Sequence, residues 1–180
     1  MDSLVSTEWL SRHLDDSDLV VLDCSVDTVS EPGGAFHNVS GRTEYERGHI
    51  PNAGFADLKG DLCDSGSAIE FAVPSPEQFC AAMGALGVGD DSRVVLYDRQ
   101  YTAWAARVWW MLRWVGFDRA ALLDGGMAAW SGEGRPVSTG PVRRPAQQLT
   151  PAPRPELIAD RDEVLAGIER IHEQHPNPSP

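Results

Sequence analysis

The sequence predicts an α/β domain built around a central parallel sheet. Three apolar runs are too continuous for surface strands and are typical of buried parallel strands: LVVLDCS (19–25), SRVVLYD (92–98) and AALLD (120–124). Helical segments alternate with these runs, and no two-residue hairpin signal is present. Because the carboxyl ends of parallel strands line the functional crevice, we expect the site beside Asp23, Asp98 and Asp124.

Capping residues and glycines mark the helices. STEWLSRHL begins at the cap Ser6, and PSPEQFCAAMGALGVG begins at the cap Ser75. Gln78 has the spacing to complete a capping box with Ser75, and two glycines end that helix. A third helix begins near Thr102, and GGMAAWSGEG forms a fourth, bounded by glycines at both ends.

The region between the first two strands has weaker signals. Residues 27–42 are rich in Gly, Ser and Asn, which predicts a loop. The stretch RTEYERGHIPNAGFADL (42–58) predicts one short helix, a turn at Pro51-Asn52 and a short strand around residues 54–56.

Composition changes after Gly140 and divides the chain. Residues 1–140 form the predicted domain, 141–156 a Pro-rich extended linker, and 157–180 a helix with the disordered end HPNPSP. The tail helix resembles the first helix, since both have a small or acidic opening followed by an apolar-Leu pair. It either starts a second, truncated copy of the domain or docks on its own domain.

The acidic balance of the chain limits its partners. Fifteen basic against 27 acidic residues give a net charge of −12, which disfavours nucleic acid and anionic membranes. The start of the chain has no signal core, and no apolar run is long enough to span a bilayer, so a cytoplasmic protein is expected. No Cys-x-x-Cys or Cys/His metal spacing occurs, so neither a metal nor another cofactor is expected.

The loop after the strand VVLY is the position where a nucleophile belongs. A strand–loop–helix junction collects backbone N–H groups that hold an anion and lower the pKa of a thiol, yet this position holds Asp98. None of Cys24, Cys63 and Cys80 is followed within ten residues by Arg or Lys, and only Cys24 lies near a strand end. An Asp-x-Asp phosphatase is disfavoured, because Gln100 replaces the second acid. No G-x-S-x-G elbow and no P-loop occurs.

The helix after this loop is apolar on almost every side. Trp104, Val108, Met111 and Val115 share one stripe, which indicates core packing. A further three tryptophans cannot all lie on that stripe: Trp109, Trp110 and Trp114. They form either a domain interface or inward packing within a single domain.

Together, these residues resemble the rhodanese (thiosulfate sulfurtransferase) family over about residues 4–140. RGHIPNA (47–53) is similar to the first signature and LLDGGMAAW (122–130) to the second, and Asp23 matches the Asp that ends the first central strand. The resemblance implies a three-layer α/β/α domain. It also implies structural roles for the signature residues, which are Asp23, Gly48, His49, Pro51, Asp124, Gly125, Gly126 and Trp130. Alternatively, Asp23 and His49 orient groups near the site of a second domain.

The family transfers sulfur through a persulfide on a cysteine, and the matching position here is Asp98. The resemblance therefore implies a former active-site loop, which consists of Asp98, Arg99, Gln100, Tyr101, Thr102 and Ala103. We expect no catalytic residue, because Asp98 instead accepts N–H bonds from its own loop or the following helix start.

Tandem members of the family commonly have such an inactive first domain. The expected partner is thus a second rhodanese domain, in the same gene or as a separate protein, and the family's ligands are small sulfur compounds. Two alternatives stay open: a stand-alone binding or regulatory module, and an active sulfurtransferase that uses an unusual cysteine such as Cys24.

Overall fold

The computed structural model of the chain describes residues 1–174, and within them five parallel strands form one sheet. Together with a separate two-stranded hairpin, the described residues contain seven strands: β1 (Leu4–Val5), β2 (Leu19–Asp23), β3 (Val26–Ser30), β4 (Phe36–Ser40), β5 (Gly54–Phe55), β6 (Arg93–Tyr97) and β7 (Ala120–Leu123). The sheet has the order β1-β7-β6-β2-β5, and all of its neighbouring strands run parallel. The predicted parallel sheet is confirmed.

Helices cover both faces of this sheet. They are α1 (Thr7–His13), α2 (Arg42–Arg47), α3 (Pro76–Ala85), α4 (Ala103–Trp114), α5 (Gly126–Gly132) and α6 (Arg161–Gln174), with one 3-10 turn at Pro155–Leu157. The side chains of α3 and α4 pack on one face of the sheet, and those of α1 and α5 pack on the other. The domain therefore has the expected three layers. No helix in residues 1–174 combines the length and apolarity needed to cross a membrane.

Both predicted helix caps form. The Ser6 hydroxyl accepts a hydrogen bond from the Trp9 N–H at 3.0 Å, and the Ser75 hydroxyl accepts one from the Gln78 N–H at 3.2 Å. The reciprocal half of the predicted capping box does not form. The Gln78 side chain instead donates to the Cys63 carbonyl at 3.0 Å, because the loop before α3 folds back onto the helix start.

Residues 27–42 are not a loop, and this prediction is wrong. Strands β3 and β4 form an antiparallel hairpin, in which Val26 pairs with Ser40 and Ser30 with Phe36. The turn spans residues 31–35, so it lacks the two-residue signature. Both strands are largely exposed, so they lack the apolar alternation that marks a half-buried strand. Strand β1 was also missed, since its two residues are too few to show a period.

Residues 141–157, which we call the strap, run over the outside of α3 and α4. Backbone bonds hold the strap at four places along its length. Gln147 N donates to Gly84 O at 2.9 Å, and Asp90 N donates to Gln148 O at 3.1 Å. Ala152 N donates to Val115 O at 2.9 Å, and Arg154 N donates to Trp114 O at 2.7 Å. Leu149 of the strap is buried in the core at 7% exposure. The Pro-rich segment is thus part of the domain surface.

Helix α6 follows the strap and leaves its apolar side chains in water. Its apolar stripe consists of Val164, Leu165, Ile168 and Ile171, each between 45% and 59% exposed. These positions share one face of a helix. The predicted disordered end, residues 175–180, lies outside the described residues.

Because the α6 stripe is exposed and Leu149 is buried, a Leu→Ala substitution is expected to lower the free energy of unfolding much more in the strap than in α6. Leu149→Ala removes a buried side chain and is expected to lower the free energy of unfolding by about 2–3 kcal/mol. Leu165→Ala removes a side chain that is 45% exposed and is expected to change it by less than about 0.5 kcal/mol. Urea denaturation measures both values. An equal loss for the two variants would show that α6 docks on the domain in solution.

Candidate functional site

The Asp98 carboxylate occupies the centre of the loop between β6 and α4. Its Oδ1 atom accepts hydrogen bonds from the backbone N–H groups of Gln100 and Thr102, each at 3.0 Å. Its Oδ2 atom accepts from those of Trp104 at 3.0 Å and Ala105 at 3.1 Å. The side chain is 2% exposed. The loop therefore supplies an anion cradle, as expected, and the anion in it is part of the chain.

The same carboxylate caps α4. The residue before the helix, Thr102, has a left-handed conformation (φ 64°) and makes no side-chain cap. The N–H groups of Trp104 and Ala105 belong to the first helical turn and would otherwise lack acceptors. A negative charge at this end also interacts favourably with the helix dipole. Asp98 thus fixes both the loop and the start of the helix.

Arg99 ties the loop to the first signature. Its Nη2 atom donates to the Glu44 carbonyl at 3.1 Å and to the Gly48 carbonyl, both at the end of α2. The same nitrogen lies 3.6 Å from Asp23 Oδ2. The guanidinium therefore links the loop to α2 and to the carboxyl end of β2.

Asp23 is a fully buried carboxylate with one well-bonded oxygen. Its Oδ1 atom accepts from the Ser25 N–H at 2.9 Å and from the Ser25 hydroxyl at 2.5 Å. Its Oδ2 atom accepts no hydrogen bond from residues 1–174 and faces Arg99. Burial raises the pKa of Asp23, and the Ser25 bonds and the nearby Arg99 charge oppose that rise.

His49 is fully buried and packs within the first signature. Its Nδ1–H donates to the Tyr45 carbonyl at 2.9 Å, and its ring stacks on the Tyr45 ring with centroids 4.3 Å apart. Its backbone N–H and carbonyl both pair with Ser138 at 2.9 Å. The Ile50 carbonyl accepts from the Ala53 N–H at 2.9 Å and closes the turn that contains Pro51. These contacts support the structural role expected for the motif.

The second signature supports the loop from the other side. The Met127 N–H donates to the Asp98 carbonyl at 3.1 Å. Gly126 has φ 55°, and a Cβ atom at this residue would lie 2.6 Å from the Asp98 carbonyl oxygen. Trp130 is fully buried, and its Nε1–H donates to the Pro136 carbonyl at 2.7 Å. Asp124, by contrast, is exposed, although it lies at the same edge of the sheet.

None of the three cysteines has the surroundings that would favour a reactive thiolate. Cys24 is fully buried, and burial together with the Asp23 and Asp98 charges raises the pKa of its thiol well above the usual value. Cys80 packs in the core from α3, and burial raises the pKa of its thiol to about 11. Cys63 is half-exposed and donates to the Gly60 carbonyl at 3.3 Å. All three cysteines are free thiols.

The three remaining tryptophans of α4 make most of their contacts within the chain. Trp109 donates through Nε1 to the Ala120 carbonyl at 3.1 Å, and Trp114 is 7% exposed. Trp110 donates through Nε1 to the Leu157 carbonyl at 2.9 Å and stacks on Trp114. The strap therefore covers part of the tryptophan surface for which either a domain interface or inward packing was expected.

The structure brings together most of the residues that the motifs single out. Asp98, Arg99 and Asp23 meet at one edge of the sheet, with Gly48 and Gly126 against the loop. Tyr101 points away from this cluster at 90% exposure. Sequence reasoning missed Ser25 and the Glu44 carbonyl as partners of this cluster. Their positions in a loop and at a helix end carry no recognisable signal.

This arrangement defines an α/β domain in which the backbone N–H groups of the loop after a central strand form an anion cradle, and the Asp98 carboxylate fills it. The sequence profile of the rhodanese-like domain matches residues 6–133. The chain therefore belongs to the rhodanese family.

Known proteins of this family are similar over most of the chain. The 3-mercaptopyruvate sulfurtransferase of Escherichia coli K12 is 35% identical over 161 residues, which is 89% of this chain and 55% of that protein. The thiosulfate sulfurtransferase of Cricetulus griseus is 32% identical over 173 residues, which is 93% of this chain and 56% of that protein. The chain thus spans about half the length of these relatives.

Solved structures agree with this assignment of the fold. The crystal structure of SseA from E. coli, described as a 3-mercaptopyruvate sulfotransferase with the rhodanese fold, superposes with a TM-score of 0.81 at 28% identity. The match covers 99% of this chain and 71% of that one.

The role of Asp98 in the loop is tested by truncation. Asp98→Ala leaves four backbone N–H groups without an acceptor and is expected to lower the free energy of unfolding by about 3 kcal/mol. Asp124→Ala removes an exposed carboxylate at the same sheet edge and is expected to change it by less than about 0.5 kcal/mol. Thermal unfolding compares the two variants. Equal stability of both would show that the cradle needs no internal anion.

The contact of Gly126 with the loop predicts a second difference in stability. Gly126→Ala places a methyl group against the Asp98 carbonyl at a positive φ and is expected to destabilise the domain by about 2 kcal/mol. Gly132→Ala, in the same helix α5 with open space around it, is expected to leave stability unchanged or raise it by about 0.5 kcal/mol. Urea denaturation distinguishes these outcomes, and a neutral Gly126→Ala would contradict the contact.

Proposed function

We propose that this chain is the non-catalytic rhodanese domain of a thiosulfate/3-mercaptopyruvate-type sulfurtransferase. The observation that carries the proposal is the Asp98 carboxylate, which accepts the four backbone N–H bonds of the loop where a persulfide cysteine would lie. The names of the relatives support sulfur transfer as the chemistry of the family. The carboxylate in the loop supports the proposal that this domain does not carry it out.

Two physical properties of a carboxylate exclude sulfur transfer at this position. Its oxygen atoms are hard and do not form the persulfide bond that a polarisable thiolate forms. Its charge also fills the cradle, so thiosulfate or a bound persulfide would meet a negative group in place of free N–H donors. A closed cradle with an internal anion therefore has no place for the substrate.

No other cysteine takes over this role in our proposal. Cys24 lies one residue beyond the end of β2, but its thiol is fully buried beside two carboxylates, which disfavours the thiolate. Cys80 is buried within α3, and Cys63 lies on a different loop with its thiol on the Gly60 carbonyl. Free thiols are in keeping with a reducing compartment, so we propose a cytoplasmic location.

The proposed partner is a second rhodanese domain that carries the cysteine. The apolar stripe of α6 is exposed and follows directly after the strap. Relatives of about twice the matched length contain further chain beyond the region similar to this one. A domain that buries the stripe of α6 accounts for both observations, whether it belongs to the same gene or to a separate protein.

Sulfurtransferase activity of the chain alone tests the proposal. With thiosulfate or 3-mercaptopyruvate as donor and cyanide as acceptor, we expect turnover at background, because no thiol lies in the cradle. Mass spectrometry after thiosulfate treatment is expected to show no cysteine with an added sulfur atom. Turnover that disappears in Cys24→Ser would overturn the proposal and establish the buried cysteine as the sulfur carrier.

A variant with the thiol restored provides the control. Asp98→Cys places a thiol among the same N–H groups, and we expect it to gain one sulfur atom from thiosulfate that cyanide removes. Asp98→Ser is the matched variant, which presents the same cradle with a hydroxyl and is expected to gain none. Equal sulfur content in both variants would contradict the reading of this loop as a former persulfide site.

A further inference from the structure

A groove on the outside of the domain gathers three arginines. The arginine groove is a cavity of about 610 Å³ between the start of α2, the edge strand β5, the end of α3 and the strap, and it is lined by Arg42, Arg143 and Arg144. None of the loop residues 98–103 lines it. It is therefore separate from the cradle that Asp98 fills.

Positive charge in this groove exceeds negative charge, although the chain as a whole carries −12. Arg42 lies 3.5 Å from the Asp57 carboxylate and 4.8 Å above the Phe55 ring. In the part of the chain that the structure describes, no acidic side chain lies within ion-pair distance of Arg143 or Arg144. Asp61 is the carboxylate residue in the lining. The groove thus holds cations that lack counter-charges.

Of the three arginines, Arg144 is the one whose guanidinium is half-buried with few hydrogen-bond partners. It is half-buried, its Nη2 atom donates to the Asn52 carbonyl at 3.4 Å, and its Nε atom is buried without a partner. Burial lowers the pKa of the Arg144 guanidinium. Half-burial removes part of the water around this cation, and an anion bound in the groove would offset that cost.

The backbone that presents these arginines is fixed. The Val142 N–H donates to the Tyr45 hydroxyl at 3.1 Å, and that hydroxyl donates to the Ala53 carbonyl at 2.8 Å. A Cβ atom on Gly87 would lie 2.9 Å from Arg144 Cβ, so the strap packs closely on the end of α3. The groove is therefore held open by the fold and needs little ordering to receive a ligand.

We propose that the arginine groove binds a small molecule that carries a phosphate-type oxyanion. Guanidinium groups form paired N–H bonds to the oxygens of such groups. Arg143 and Arg144 supply two positive charges against the Asp61 carboxylate, while Arg42 already lies 3.5 Å from Asp57. A cavity of this size accommodates a metabolite together with its anionic group. The proposal does not depend on the role of Asp98 or on the activity of the chain.

Binding of inorganic pyrophosphate to the full chain tests this proposal. We expect isothermal titration calorimetry at constant ionic strength to show one saturable site, and phosphorus NMR to show broadening of the pyrophosphate signal. Arg143→Ala/Arg144→Ala is expected to weaken binding at least tenfold. Arg12→Ala/Arg161→Ala removes the same charge from exposed positions outside the groove and is expected to leave the affinity unchanged.

Two further measurements keep the test decisive. Arg143→Ala alone alters an exposed side chain that cannot disturb packing, and we expect it to weaken binding about threefold with unchanged circular dichroism. Malonate, a dicarboxylate of similar charge, is expected to bind more weakly than pyrophosphate. No saturable binding of pyrophosphate, equal loss in both double variants, or equal affinity for malonate would each overturn the proposal.

Discussion

The four hydrogen bonds that the Asp98 carboxylate accepts are the constraint on which the rest of the site depends. They give an acceptor to four backbone N–H groups of the loop and the helix start that would otherwise be unpaired. They also cap α4, whose preceding residue Thr102 provides no side-chain cap. The order of the loop and the start of the longest helix packed on the sheet therefore depend on one side chain.

The loop is held from two sides, and each side contains one of the two sequence motifs. Arg99 donates to the Glu44 carbonyl of α2 and to the Gly48 carbonyl, and Gly48 belongs to the first motif. The Met127 N–H and the bare backbone of Gly126 approach the Asp98 carbonyl from the second motif. The motifs therefore serve as supports of the central loop, and a support of this kind is needed whether the loop holds a thiol or a carboxylate.

Sequence reasoning succeeded where the determinant was local. Strands β2, β6 and β7 are continuous buried runs, and the caps Ser6 and Ser75 are local hydrogen-bonding signals, so their positions could be predicted. The hairpin of β3 and β4 was missed because its exposed strands lack periodicity. The contacts of Arg99 and Gly126 with the loop could not be derived in detail, because they depend on long-range packing that only the folded chain fixes.

The structure also indicates why a carboxylate is a stable occupant of a loop shaped for an anion. An empty cradle would leave converging N–H dipoles without an acceptor and would cost stability unless water or a solute anion entered it. A covalently attached anion needs no binding step and loses no translational freedom, so it satisfies the donors at every solute concentration. Once it is in place, the donors are no longer available to a substrate anion. The same bonds that stabilise the fold leave the loop without free donors, so under the proposed function the stability of the domain and its loss of sulfur chemistry have a single cause.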